Sequence, residues 1–369
     1  MVGELASWIE HWGTGTALAV GGAVIGALFG FFAQRSRFCL RAAVIEFWHG
    51  KFGEKLSVWL LAFASALVAV QALILWGALD VGSARQLANR GSLSGALVGG
   101  LLFGVGMVMT RGCASRLLVL SANGNLRALL SGLVFAVTAQ AALAGSLAPL
   151  RGAISGWWTV DGGAARDLLA RVGAGHWDGL VFGLLWLVVA VIFSLRTGNR
   201  LWMWIGGVGT GLAVAAAWWF SYAVSRASFD PVQVQGLTFS GPSAEWLMRV
   251  LASPAPPFGF DAGMLPGVFI GSFIGALVGR EFKVEGFKDG ASMARYIVGA
   301  MLMGFSSMLA GGCAVGAGMT GGAIFALTAW LTLLGMWIGG GLMDRWLAEP
   351  TSTTQSPTQQ APVLIQAAP

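Results

Sequence analysis

GALVGGLLFGVGMVMTRGCASRLLVL, residues 95–120, and RYIVGAMLMGFSSMLAGGCAVGAGMT, residues 295–320, are the two stretches on which the fold turns. Each runs through a long segment of small and apolar residues without a single acid, reaches a Gly–Cys step and continues in small residues. A helix needs about 20 such residues to cross a hydrocarbon core about 30 Å thick, and each run comes close to that length before its Gly–Cys step. Set one beneath the other, the stretches bring Cys113 onto Cys313 in a chain holding 3 cysteines among 369 residues. The match predicts an internal repeat of membrane-crossing units, each broken at a cysteine.

Working outward, the same composition extends over most of the chain: 56% of residues are hydrophobic, 10% are charged and 56 are glycine. Soluble domains carry about 25% charged residues, so a soluble fold is excluded. The apolar runs are continuous and do not alternate, which excludes a lipid-facing barrel. An all-α integral membrane protein remains. Nine segments are long enough to span, near residues 14–33, 56–79, 94–111, 126–145, 178–195, 201–223, 264–279, 293–311 and 323–342, with short re-entrant helices expected at the Gly-dense breaks.

A net charge of +6 does not mark a nucleic-acid protein, because the basic residues are dispersed between apolar runs. They report membrane orientation instead. With nine crossings, 15 Lys and Arg fall on one side and 7 on the other. Basic loops stay in the cytoplasm, which predicts an N-terminus on the outer side and a cytoplasmic C-terminus. The opening MVGELASWIE has no basic n-region, so the first span is expected to be retained.

A single transmembrane domain is expected over 1–349, with repeat halves at about 14–145 and 264–342 and an inserted pair of spans at about 178–223. The second sign of the repeat is VGGAVIGALFGFF (20–32) against PGVFIGSFIGALVG (266–279), both with glycine every fourth residue. Such small-residue faces let helix backbones approach closely. Residues 350–369, rich in Pro, Gln, Thr and Ser, read as a disordered cytoplasmic tail. The 17 tryptophans, including Trp157–Trp158 and Trp218–Trp219, suit interfacial belts.

The cysteines lie in QRSRFCLRAA (Cys39), TRGCASR (Cys113) and AGGCAVGAGMTGG (Cys313). Separations of 74 and 200 residues form neither a disulfide framework nor a CxxC metal site. A lone membrane cysteine is ordinarily a small buried hydrophobe. Three at helix breaks, two aligned by the repeat, point to a function. A helix that restarts at such a break presents amides and the positive end of its dipole, which attract anions. Arg37, Arg111 and Arg116, with Gly112, flank the first two cysteines; around Cys313 the attraction has to come from amides near Gly311, Gly312, Gly316 and Gly318. No P-loop occurs, the three histidines lie outside the spans, and no carboxylate lies in the middle of a span, so ATP hydrolysis, a zinc site and a carboxylate proton relay find no support.

The segments RFC (37–39), GVGMVMTRGCASR (104–116) and MGFSSMLAGGCAVGAGMTGG (303–322), set among Gly-rich apolar helices, resemble the YeeE/YedE family of bacterial sulfur-transport membrane proteins. The resemblance covers most of residues 14–342 and implies an hourglass-like transport domain, with short helices entering from both faces, that imports thiosulfate. By motif, Cys39, Cys113 and Cys313 would contact the substrate, without a cofactor, metal or enzymatic step. Thiosulfate is a dianion with a terminal sulfur, to which a protonated thiol can donate an S–H hydrogen bond. Some members work beside a cytoplasmic TusA-type carrier, which would be a partner here. Others are linked to selenium metabolism, making a selenium species an alternative cargo. A further alternative is copper transport, since Met107, Met109, Met303 and Met308 precede the cysteines and thioether with thiolate suits Cu(I).

Overall fold

The computed structural model describes residues 2–254, 256–286 and 290–348; the tail expected over 350–369 lies outside them. In chain order the helices are α1 (Val2–Trp12), α2 (Thr14–Arg35), α3 (Leu40–Trp48), α4 (Glu54–Leu75), α5 (Arg85–Ala88), α6 (Leu93–Met109), α7 (Ala114–Ala122) and α8 (Leu126–Ala144). They continue as α9 (Ala148–Gly156), α10 (Leu168–Arg171), α11 (His176–Arg196), α12 (Leu201–Ala227), α13 (Ser240–Leu251), α14 (Phe260–Val278) and α15 (Gly290–Leu309), a π-helix over Ala314–Gly321, and α16 (Leu327–Ala348). The strand content among the described residues is one antiparallel pair, Gly91–Ser92 with Thr159–Val160. The protein is an all-α membrane protein.

Among the described residues nine helices reach 17 residues or more, each overlying one of the nine apolar segments. Eight helical segments are long and apolar enough to cross a bilayer. The ninth long helix, α16, is diluted by Thr328, Thr332, Gly339, Gly340, Gly341 and Asp344. Two boundaries move for local reasons. Helix α4 stops at Leu75 because Gly77 turns left-handed (φ 69°), and α16 starts only at Leu327 because the π-helix and the left-handed Phe325 (φ 54°) precede it.

Small residues set the packing. Helices α2 and α14 lie side by side in the same direction: Gly22, Gly26 and Gly30 face the carbonyls of Phe260, Met264 and Val268. In return Gly263, Gly267 and Gly271 face those of Ala19, Ala23 and Ala27. A Cβ on any of these would overlap a carbonyl oxygen, so the spacing of four residues is a backbone-to-backbone seam. Helices α6 and α15 run antiparallel, with Gly95 against Leu309 at one end and Gly106 against Gly299 at the other. Helix α16 runs parallel to α6, with Gly100 against Thr332 and Gly104 against Met336.

The packed pairs map onto one another under an exchange of α2 with α12, α3 with α13, α4 with α14, α6 with α15, α7 with the π-helix and α8 with α16. Thus α4 packs on α12 as α14 packs on α2, α6 on α16 as α15 on α8, and α3 on α4 as α13 on α14. Helix α7 contacts α14 as the π-helix contacts α4. Helix α11 packs on α4 and is outside this scheme, with Val181, Leu185, Val188 and Leu195 exposed on its outer face. Trp218 departs from the belt expectation: it is fully buried, and its indole N–H donates to the Thr320 carbonyl at 3.3 Å, against the π-helix.

Candidate functional site

Each cysteine sits two residues beyond a left-handed residue that stops a helix. Helix α2 ends with the Phe38 amide donating to the Ala33 carbonyl (3.0 Å), α6 with Gly112 to Met107 (3.1 Å) and α15 with Gly312 to Ser307 (2.9 Å). These are six-to-one closures of the Schellman type, which require a positive φ at the preceding residue. Gly311 supplies it freely (φ 78°), whereas Arg37 (φ 55°) and Arg111 (φ 59°) do so at a steric cost of about 1–2 kcal/mol each. Backbone strain of this kind persists where surrounding structure enforces it. The residue after the closing amide is cysteine in all three, already extended, and it is the N-cap of α3, α7 or the π-helix.

The thiols are free and buried, Cys113 and Cys313 at 1% exposure. Cys113 Sγ lies 3.4 Å from Ser115 Oγ. The Gly316 amide donates to Cys313 Sγ at 3.5 Å. That amide therefore serves the thiol, leaving the Cys313 S–H to point elsewhere. Cys113 lies within electrostatic range of both Cys39 and Cys313, so the fold gathers three residues far apart in sequence. Arg116 lies within electrostatic range of Cys39 and Cys113, and Arg41 of Cys39.

The remaining expected residues sort by half. Arg37 pairs with Glu281 (Nη2 to Oε1, 2.9 Å), and the Gln34 amide donates to the other oxygen of Glu281 at 2.7 Å. Arg116 donates to Gln34 Oε1 at 3.5 Å, so one carboxylate and one amide link the arginines beside Cys39 and Cys113. Gly112 is buried in the α6 stop, and Gly318 packs toward Leu333 within the π-helix. Gly316 is sterically constrained, since a Cβ there would overlap Thr238 Oγ1 and approach Thr238 Cβ to 2.9 Å.

Two cavities lie at opposite ends of the α6/α15 pair. One, of about 370 Å³, is lined by Ser92 and Leu309 together with Arg85, Arg90, Arg151, Arg166, Ser240 and Gly311. Among the described residues no carboxylate lines it. The other, of about 260 Å³, is lined by Arg41, Arg111, Arg295, His49, Val108, Asp344 and Leu347. Arg166 is 7% exposed; its guanidinium donates to Asn89 O (2.7 Å), Arg85 O (3.3 Å) and Thr328 Oγ1 (2.7 Å). Burial and then the neighbouring Arg85 hold its pKa below the usual guanidinium value, so this charge is kept at an electrostatic cost. Among the described residues no group of three His, Cys, Asp or Glu is placed to hold a metal.

Sequence reasoning assigned no role at the site to Ser240, Gln34, Glu281 or Arg166. The signal for Ser240 is present but faint, in the Phe–Cys step at 38–39 and the Phe–Ser step at 239–240.

A polytopic helical bundle with thiol-capped helix breaks and an arginine-lined cavity at each end of its α6/α15 pair fits a membrane protein of the transport class. The family model described as Sulphur transport matches residues 35–342, and the chain belongs to that family. It is similar to the thiosulfate transporter TsuA of Escherichia coli (strain K12), 27% identical over 353 residues covering 89% of this chain and 95% of the relative. It is likewise similar to the thiosulfate transporter TsuA of Spirochaeta thermophila, 27% identical over 349 residues, with 88% and 98% covered.

Proposed function

We propose that this protein takes up thiosulfate, or a closely related sulfur oxyanion, by passing it between weak sites at Cys39, Cys113 and Cys313. The observation that carries the reading is that three thiol-capped breaks lie within electrostatic range of one another, with an arginine-lined cavity at each end of the α6/α15 pair. The names of two relatives covered almost end to end support the cargo.

The chemistry follows from the parts. The arginines gathered at the two cavities, in excess over the carboxylates there, raise the local concentration of a dianion. Helix N-termini at α3, α7 and the π-helix favour negative charge, and thiols donate weak S–H hydrogen bonds to a terminal sulfur. Sites built from weak donors hold the ion briefly, which conduction requires. The positive-inside count supports an inner-membrane protein whose 370 Å³ cavity opens to the periplasm and whose 260 Å³ cavity opens to the cytoplasm. The exchange of packed pairs supports an inverted repeat relating α2–α8 to α12–α16. On that pairing α12 belongs to the second half, and α11 is the one long helix among the described residues that stands outside.

Uptake of ³⁵S-labelled thiosulfate by proteoliposomes containing the purified chain is the direct test. Saturable uptake that is lost on Cys113→Ala or Cys313→Ala is expected. Absence of uptake by the unaltered protein, or full uptake by both variants, overturns the proposal.

A further inference from the structure

The exchange that carries α2–α8 onto α12–α16 leaves one place in the site without a thiol. Cys39 follows Phe38 at the start of α3; the corresponding helix, α13, starts at Ser240 directly after Phe239. The two phenylalanines flank a single ring. Phe29, fully buried, lies 6.5 Å from Phe38 and 5.4 Å from Phe239 between ring centroids. Cys39 lies within electrostatic range of Cys113 on α7, and Ser240 shares a cavity with Gly311, Gly316 and Ala317 around Cys313. Ser240 thus stands to Cys313 as Cys39 stands to Cys113.

The surroundings of Ser240 are those of an anion site. It is 4% exposed yet lines the 370 Å³ cavity. Among the described residues its hydroxyl makes no hydrogen bond, while Ser243 on the same helix is tied to the Phe239 carbonyl. Among the described residues four arginines and no carboxylate line the cavity, and two of those arginines, Arg166 and Arg151, have buried Nε atoms without hydrogen-bond partners. The charge is redistributed between the halves. Where the Cys39 half has Arg37, Arg111 and Arg116 close to its thiols, the other half has Thr238, Gly311 and Gly316, and its cations lie farther out in the cavity.

We propose that Ser240 is a fourth station of the path, its hydroxyl receiving the oxygen-bearing end of the dianion in the arginine-lined cavity before the terminal sulfur reaches Cys313. This inference rests on the thiosulfate reading above. A hydroxyl is a stronger donor to a charged oxygen than a thiol is, and a thiol suits a soft sulfur. A station with hydroxyl and guanidinium groups therefore selects the end of the ion that the cysteines select against, and orients it sulfur-first.

The test is the KM for labelled thiosulfate in proteoliposomes of wild type, Ser240→Ala and Ser240→Cys. Loss of one hydrogen bond to a charged group is expected to raise KM in Ser240→Ala by about 10-fold or more, with maximal uptake retained. Ser240→Cys, keeping a weaker donor of similar size, is expected to fall between. A wild-type KM in Ser240→Ala overturns the station while leaving the transport reading intact. Should Ser240→Ala yield no folded protein, Ser240→Cys decides alone, and a wild-type KM there overturns the proposal. Wild-type protein that takes up no thiosulfate overturns the functional reading, and the station falls with it.

Discussion

Gly316 offers the sharpest test of how the π-helix is held. A Cβ at this position would overlap Thr238 Oγ1 and come within 2.9 Å of Thr238 Cβ, and both atoms belong to a segment pinned by the Thr320 hydroxyl donating to the Leu237 carbonyl at 2.6 Å. Neither side can yield cheaply. Overpacking of this kind costs about 1–3 kcal/mol, against which the better helical propensity of alanine contributes at most about 1 kcal/mol. Gly316→Ala is therefore expected to destabilise the native protein by roughly 1–2 kcal/mol. In a Thr238→Gly background both offending atoms are gone, leaving Thr238 Cα at 3.4 Å as the nearest remaining obstacle, and the same substitution should be neutral or stabilising. Equilibrium unfolding of the four proteins of this cycle in mixed micelles measures the change of sign. Because Ser240 lies two residues beyond Thr238, Gly316→Ala should also raise the KM for thiosulfate, and the Thr238→Gly background should lower it again. Additivity of the two substitutions within about 0.5 kcal/mol would show that they do not share a contact and refute the reasoning.

Other consequences follow from the same geometry. Replacing Gly26 by Leu sets a side chain against the Met264 carbonyl across the α2/α14 seam, so membrane-inserted protein should fall sharply; size-exclusion profiles of tagged protein would reveal it, and a native profile would count against the seam. Arg166→Lys loses the fork that reaches Asn89, Arg85 and Thr328 together, and should cost about 2 kcal/mol in unfolding measurements, since a compact ammonium cannot serve three acceptors on two nitrogens' geometry. Glu281→Gln removes the half-exposed pair with Arg37, so stability should change by less than about 1 kcal/mol. The freed guanidinium should lower the KM for thiosulfate in vesicle uptake, and a raised KM would contradict a role for Arg37 in attracting the ion.

The helices were legible in the sequence because lipid imposes a simple demand: every backbone group must be paired within its own segment, so a span appears as an unbroken apolar run. The cysteine breaks were legible too, since TRGC and AGGC interrupt such runs. That Arg37 and Arg111 adopt the left-handed conformation that Gly311 takes without strain was not, because arginine gives no local sign of it. The similarity of 20–32 to 266–279 also has a different meaning in three dimensions. It marks the two faces of one glycine seam, α2 against α14, and the exchange of packed pairs sets α14 opposite α4 instead. Composition alone could not separate helices that resemble each other because they touch from helices that resemble each other because they are equivalent.

The chain by itself determined the membrane class, the nine long helices, the three thiol positions and the helix breaks at Cys113 and Cys313, all of which depend on neighbours within about a turn. Only the tertiary structure decided which helices pack against one another, that Arg37 is held by Glu281 through an approach of residues 244 apart, and that Ser240 lines an arginine-rich cavity. These are contacts between distant segments, set by which small residues let backbones meet, and no local pattern records them.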